Sequence, residues 1–397
     1  MPLYAFGSNG SGQLGIGHVE DVSVPTRCLF DDDHEGHDHD GDEVLRIAAG
    51  GNHTLVLFQS GAVYAAGCDE DGRCGGHDAL VEGDGEGEGE GEGEGEGKSL
   101  LKLRRVVVEG SSDGEKTKIG RFKHVSATWE GTVLVSSLGE EAEGEQGEEK
   151  VFVMGSGAKG ELGLGSQVTR TEKAVRISDF PPRGTRVVSI ASSVGHVVVV
   201  LSTGDVYGWG AARKGQLGES VKDQKIVWDP VKVEGIPFRA TDVACGKEFT
   251  VVTGDKERGE FVILGPAGPD RWRILSDAPR PADLAGFFLV AASWNGIYVH
   301  GSDGSVRAWG RNDKGQLPPP GLPRSSKIAV GSEHALALLG DQKVVAFGWG
   351  EHGNCGPETD AQGNVNGRWS EIPLSVKDGA RIVGLGAGCA TSWIIVS

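Results

Sequence analysis

Two stretches of the chain satisfy a Gly-x-Gly-x-x-Gly spacing: Gly10, Gly12 and Gly15, then Gly155, Gly157 and Gly160. Such a spacing seats a dinucleotide pyrophosphate only when a strand precedes it and a helix follows, so that a helix N-terminus faces the phosphates. Both copies instead lead into Leu-Gly and a loop, and the glycines are expected to serve tight turns with positive φ. His34, His37 and His39 lie within residues 30–43, a stretch with 8 acidic and no basic residues. Imidazoles among carboxylates can hold a divalent ion, but this spacing is unspecific and a mobile tract loses entropy on closing round a metal. We read it as a solvated acidic loop. The six cysteines, at 28, 68, 74, 245, 355 and 389, include no Cys-x-x-Cys pair, which fits a reduced, cytosolic or nuclear compartment. Neither a nucleophile elbow, a zincin helix, a phosphate loop nor a sheltered carboxylate pair is present. The expectation is a protein that is not an enzyme, with no catalytic, cofactor-binding or metal-binding residues.

What organises the chain is a two-part repeat. One part is a β-rich segment ending in Gly, followed by a polar turn and often Gly-x-Leu-Gly, as in LYAFGSNGSGQLGIG at 3–17 and VYGWGAARKGQLGE at 206–219. The other precedes it and reads small-Ala-small-Gly, two variable residues, then an apolar strand, as in IAAGGNHTLVLF at 47–58 and IAVGSEHALALL at 328–339. Each part occurs seven times, with equivalent glycines at 7, 67, 155, 210, 265, 310 and 348. Alternating Val, Ile, Tyr, Phe and Trp in short runs bounded by Gly, Asn and Asp turns indicates strands, and no stretch keeps a helical period. Radial repetition of small sheets closes such an array and protects its edges. The prediction is an all-β, seven-bladed β-propeller with four-stranded antiparallel blades, occupying residues 1–397 as one domain; a sheet-only solenoid is the alternative. The chain opens on the first part and finishes on the second, so strands 3–7 and 391–396 are expected to pair and seal the ring.

The repeat gives meaning to several side chains. Cys74 and Cys355 take a position held by Leu in other copies and read as small core hydrophobes. Trp209, Trp309 and Trp349, beside the motif glycine, read as blade core. His53, His196 and His334 recur at one phase, which suggests a structural brace. At the same turn other copies carry Trp129-Glu130, Lys247-Glu248 and Trp294-Asn295, and large aromatics in a turn that packing does not demand are the residue type that anchors interfaces. Equivalent turns of a propeller project from one face. The candidate partner-binding surface is therefore Trp129, Glu130, Glu248, Trp294, Asn295 and the neighbouring His53, His196 and His334, an aromatic centre with a charged rim.

Net charge is −18, yet it sits in three insertions, at 30–43, 78–98 and 139–150. Residues 30–43, 78–97 and 139–150 hold 23 of the 57 acidic residues and one Lys, leaving 34 acids against 38 bases in the remainder. That near-neutral body, lacking a basic tail, argues against direct nucleic-acid binding, which rests on phosphate neutralisation. Apolar runs such as residues 197–201 and 287–292 are far short of the ~18 residues of a membrane helix, and the N-terminus lacks a basic region followed by an apolar core. No membrane association or secretion is expected.

The motif Gly-x-Asn-x-x-Gly-Gln-Leu-Gly-x-Gly at 7–17 and the matching Ala-Gly-Gly-Asn-His-Thr at 49–54 resemble the regulator-of-chromosome-condensation family of propellers over nearly the whole chain. Within it, a single propeller opening on LYAFGSNGSGQLGIGHVEDVSVPTRC is most similar to the alpha-tubulin suppressor branch, also called killer-toxin-insensitivity factors. That resemblance implies a non-enzymatic adaptor that forms a heterodimer with the small zinc-ribbon protein of diphthamide biosynthesis. It also implies support for Elongator-dependent modification of tRNA wobble uridines, in the cytoplasm and also the nucleus. The three acidic insertions depart from the plain family pattern. The activity that names the family, guanine-nucleotide exchange on a small GTPase, is the alternative; it requires acidic and His residues on the partner face and a wedge between blades, and no wedge is identifiable.

Overall fold

The computed structural model describes residues 1–31, 41–75, 99–112, 115–138, 148–374 and 379–397. The expected acidic loops and His34, His37 and His39 lie largely or wholly outside them. Seven antiparallel sheets follow one another along the chain. Blade 1 is Val44–Ala49, His53–Phe58, Val63–Cys68 and Ser99–Arg105; blade 2 is Phe122–Ala127, Gly131–Ser136, Val151–Ser156 and Arg170–Arg176. Blade 3 is Val187–Ser192, His196–Leu201, Val206–Ala211 and Ile226–Lys232, and blade 6 is Lys327–Val330, His334–Leu339, Lys343–Trp349 and Asn364–Glu371. Blades 4 (Asp242–Cys245, Thr250–Thr253, Phe261–Leu264) and 5 (Phe287–Ser293, Gly296–Gly301, Val306–Gly310) have three strands. There the chain beyond the third strand runs on largely in turns. A hairpin, Val108–Ser112 with Glu115–Ile119, joins blades 1 and 2.

Blade 7 is assembled from both ends of the chain. Ile382–Ala387 and Thr391–Val396 supply its inner half, Leu3–Gly7 and Val22–Arg27 its outer half. Leu3 faces Ile395 and Gly7 faces Thr391 across the junction, so the expected seal forms with the expected strands. The first strand of every blade lines the axis, and these strands abut in the cyclic order of blades 1 to 7 and back to 1. The ring is closed and no blade is left with an unpaired neighbour.

The core lies between blades because each sheet buries both faces. Second strands such as Val197–Leu201 and Leu55–Phe58 are wholly inaccessible. Trp209 and Trp309 are core, as expected, and each indole reaches into the preceding blade: Trp209 Nε1 donates to the Glu161 carbonyl at 2.8 Å, and Trp309 Nε1 to the Ile274 carbonyl at 2.9 Å. Cys74 and Cys355 fill the buried slot held by Leu14, Leu162 and Leu217. The motif glycines end the third strands with positive φ, for example +109° at Gly67. A side chain there would strike the Asn52 carbonyl of the neighbouring turn, which is why glycine recurs at this phase.

Candidate partner-docking face

Strand direction fixes which loops share a face. The turn after each inner strand ends where the second strand begins, and His53 opposes Gly67, the end of the third strand. The inner turns and the Gly-x-Leu-Gly loops therefore emerge together on one face. In those loops a polar side chain replaces missing backbone partners: Asn9 Oδ1 accepts from Leu14 N at 3.0 Å, Asp69 Oδ1 from Cys74 N at 2.8 Å and Asn312 Oδ1 from Leu317 N at 3.0 Å. Gly12 and Gly160 have φ of +74° and +81°, and the next element after Gly15 is a strand. The fingerprint spacing is turn chemistry.

The three recurring histidines are fully buried. They cannot touch a docked partner, so His53, His196 and His334 are withdrawn from the docking surface. Their work is to join neighbouring blades. His53 Nε2 meets Thr132 Oγ1 at 3.0 Å, and that hydroxyl donates to the Arg73 carbonyl at 2.7 Å. The hydroxyl's proton being so committed, His53 must be the donor, which places its own proton on Nε2. The same relay runs from His196 through Thr250 to the Gln216 carbonyl, and from His334 through Ser392 to the Asn354 carbonyl. Burial holds the imidazoles neutral, at about 3 for His53 and about 4 for the others. In blades 1 and 6 the ring folds back over a glycine three residues earlier, Gly50 or Gly331, where a Cβ would collide with it.

The turns themselves carry the candidate surface. The inner strands of all seven blades enclose an axial channel of about 390 Å³. At its mouth Trp129 of blade 2 and Trp294 of blade 5 meet, ring centroids 5.9 Å apart and planes tilted by 46°. Blades 2 and 5 are not neighbours, so the two indoles reach across the axis and roof the channel. Hydrogen bonds between turns hold them there. Gly51 N donates to the Trp129 carbonyl at 2.8 Å, Lys247 N to the Trp294 carbonyl at 2.9 Å and Trp294 N to the Ser332 carbonyl at 3.0 Å. Trp129 remains 39% exposed, with its ring lying over Gly51.

Around this centre the other expected residues form a charged rim. Glu130 is half exposed and 3.9 Å from Arg73; Glu248 is half exposed and 3.6 Å from Lys214. Asn295 Nδ2 donates to Glu333 Oε1 at 3.2 Å, and Glu333 is buried beneath Arg311 at 3.0 Å. The Arg311 hydrogen bond in turn holds the Asp313 carboxyl down at about 2. Burial alone would raise the Asp71 carboxyl, but its bonds to Arg73 outweigh that and leave it below the usual range. Trp129, Glu130, Glu248, Trp294 and Asn295 thus share one face, four of them gathered on blades 2 and 5.

Two further indoles belong to the rim. Trp349, expected in the core, is only partly buried, its Nε1 donating to Glu351 at 3.0 Å. The core position before the motif glycine, held by Trp209 and Trp309 in their blades, is taken here by buried Phe347; Trp349 follows Gly348 at the last residue of its strand, where the chain leaves the blade for the loop. Trp272, in the loop after blade 4, lies beneath Arg271 and Arg311 at 4.5 and 4.9 Å. The sequence signal for it was weak because its repeat copy, VILGPAGPDRW, is degenerate.

Models of the regulator of chromosome condensation (RCC1) repeat match residues 2–57 and 203–253, and in a second form 44–73, 187–216 and 326–354. The chain is an RCC1-repeat propeller. It is 28% identical to an RCC1 repeat-containing protein of Schizosaccharomyces pombe, over 99% of this chain and 98% of that one. It is 25% identical to the mouse secretion-regulating guanine nucleotide exchange factor, over 97% of this chain and 82% of the relative. Among solved structures, human WBSCR16 superposes with a TM-score of 0.71 at 18% identity, covering both chains completely. That structural likeness carries the fold alone.

Proposed function

We propose that this RCC1-repeat propeller is a non-enzymatic docking protein whose Trp129–Trp294 face binds the small zinc-ribbon protein of diphthamide biosynthesis. Through that heterodimer it supports diphthamide formation and, indirectly, Elongator-dependent wobble-uridine modification, in the cytoplasm and nucleus. The observation that carries the docking reading is the indole pair. Two large aromatics from non-adjacent blades, held by turn-to-turn hydrogen bonds and still accessible, form a rigid apolar centre. A rim of half-exposed Glu130 and Glu248 surrounds them. Interfaces concentrate their energy in such centres. The resemblance of the repeats to the alpha-tubulin suppressor branch supplies the partner. Calorimetric titration of the full chain with the zinc-loaded ribbon protein tests it: stoichiometric binding supports the assignment, and absence of heat removes it.

The second reading is guanine-nucleotide exchange, favoured by the name of the mouse relative at 25% identity. The same face would then hold a small GTPase. A GTPase loaded with fluorescent GDP distinguishes the two, since only exchange activity accelerates nucleotide release.

A further inference from the structure

We infer that the part of the docking face formed by blades 4 to 6 receives an acidic peptide segment of the partner, its carboxylates seated on Lys247, Arg271 and Lys314; this deepens the docking reading and rests on it. Each of the three cations lies over an indole. Lys247 Nζ is 5.0 Å from the Trp294 centroid, the Arg271 guanidinium 4.5 Å from Trp272 and Lys314 Nζ 4.9 Å from Trp349. None has a carboxylate within ion-pair distance among the described residues, whereas their neighbours Lys214, Arg273 and Arg311 are all paired.

A cation resting on an indole face is attracted by the ring quadrupole and loses some of its hydration, while its charge stays uncompensated. Its side chain is also partly ordered in advance, so a carboxylate arriving there costs less entropy to hold. Three such units on one arc of the face offer charge and apolar surface in alternation. Exposed carboxylates stand on every sector of the face, Glu20, Glu70 and Glu130 on blades 7, 1 and 2 and Glu248 and Glu351 on blades 4 and 6. What singles out the arc of blades 4 to 6 is its three indole-seated cations without a carboxylate partner among the described residues.

The chemistry favours peptide over nucleic acid. Glu248, Asp277 and Asp313 interrupt the cationic arc. A phosphate at every nucleotide would meet them, while separated carboxylates can avoid them. The indole faces that would stack bases are already occupied by cations.

The test is fluorescence anisotropy with the full chain and three labelled probes of about 12 units: an Asp/Glu-rich peptide containing one Phe, its Lys-substituted counterpart and a single-stranded RNA. The acidic peptide should bind in preference to both others and weaken as salt is raised. In the Lys247→Ala/Arg271→Ala/Lys314→Ala variant its affinity should fall about tenfold or more, with an unchanged melting curve. No binding of the acidic peptide, wild-type affinity in the triple variant or preference for RNA would overturn the inference. The ribbon protein separates this from the parent reading. If its binding survives the triple variant but is lost in Trp129→Ala/Trp294→Ala, the acidic segment is refuted and the docking face stands. If it fails to bind wild type while the peptide responds to the triple variant, the acidic site stands and the ribbon partner is refuted.

Discussion

His53 of blade 1 donates through Nε2 to Thr132 of blade 2 at 3.0 Å, and the Thr132 hydroxyl returns its proton to the Arg73 carbonyl of blade 1. With its copies at His196 and His334, the relay ties three pairs of adjacent blades together in the dry core, where an unmade hydrogen bond costs about 1–3 kcal/mol.

The relay makes stability pH-dependent in a defined direction. Folded imidazoles stay neutral down to about 3 at His53 and about 4 at His196 and His334, whereas unfolded ones take up protons near 6.5. The unfolded chain therefore binds more protons below pH 6.5, and stability falls as pH drops toward 4, by at most about 1.4 kcal/mol per unit for each histidine. Blade 4 carries Phe249 at the equivalent position. His196→Phe should lower the melting temperature at pH 7 through the lost bond, yet flatten its decline on acidification. An acid profile identical to wild type would show that His196 does not titrate as described.

Gly331 tests the packing that seats these rings. A Cβ there would strike both the His334 imidazole and the Gly388 carbonyl of the next blade. Neither can move freely in a closed ring, so Gly331→Ala should destabilise by about 1–3 kcal/mol. Gly340, in a turn with no neighbour around its Cβ position, is the control, although its φ of +68° leaves a smaller strain penalty there. Chemical denaturation that ranks the two variants equally would contradict this.

Ring closure depends on one junction. Deleting residues 391–397 removes the strand that Leu3–Gly7 pairs with and bares Phe6 and Trp393's pocket between blades 6, 7 and 1. The expectation is a single cooperative melt displaced strongly downward, followed by circular dichroism. An unchanged melt would mean the ring is stable open.

The number of blades, the closure and the phase of every turn were legible because glycine and small residues punctuate each copy at the same place. Trp129 and Trp294 stood out as departures from that pattern, and they do meet, though nothing in a linear pattern says that blades 2 and 5 touch across an axis. The recurrence of His53, His196 and His334 at one phase pointed to a brace, which the relays bear out; their hydroxyl partners are a further regularity of the same repeat. In three cases a His in one copy is followed, one residue further along the next copy, by a Thr or Ser: His53 with Thr132, His196 with Thr250, His334 with Ser392. Consecutive copies in register thus pair each brace with its hydroxyl and set these histidines apart from the exposed turns that carry Trp129 and Trp294. Trp349 and Trp272 escaped for physical reasons, the first by standing one residue past its glycine and the second by lying in a copy whose loop is irregular.

The docking centre is tested most directly by Trp129→Ala/Trp294→Ala in the full chain, titrated calorimetrically with the zinc-loaded ribbon protein beside a thermal melt. Because Trp129 is 39% exposed and both rings lie outside the inter-blade core, the melt should shift by only a few degrees, while binding weakens by 2 kcal/mol or more, about thirtyfold. Collapse of the melt would show the pair to be a structural plug, and wild-type affinity in a stably folded double variant would contradict the docking role outright.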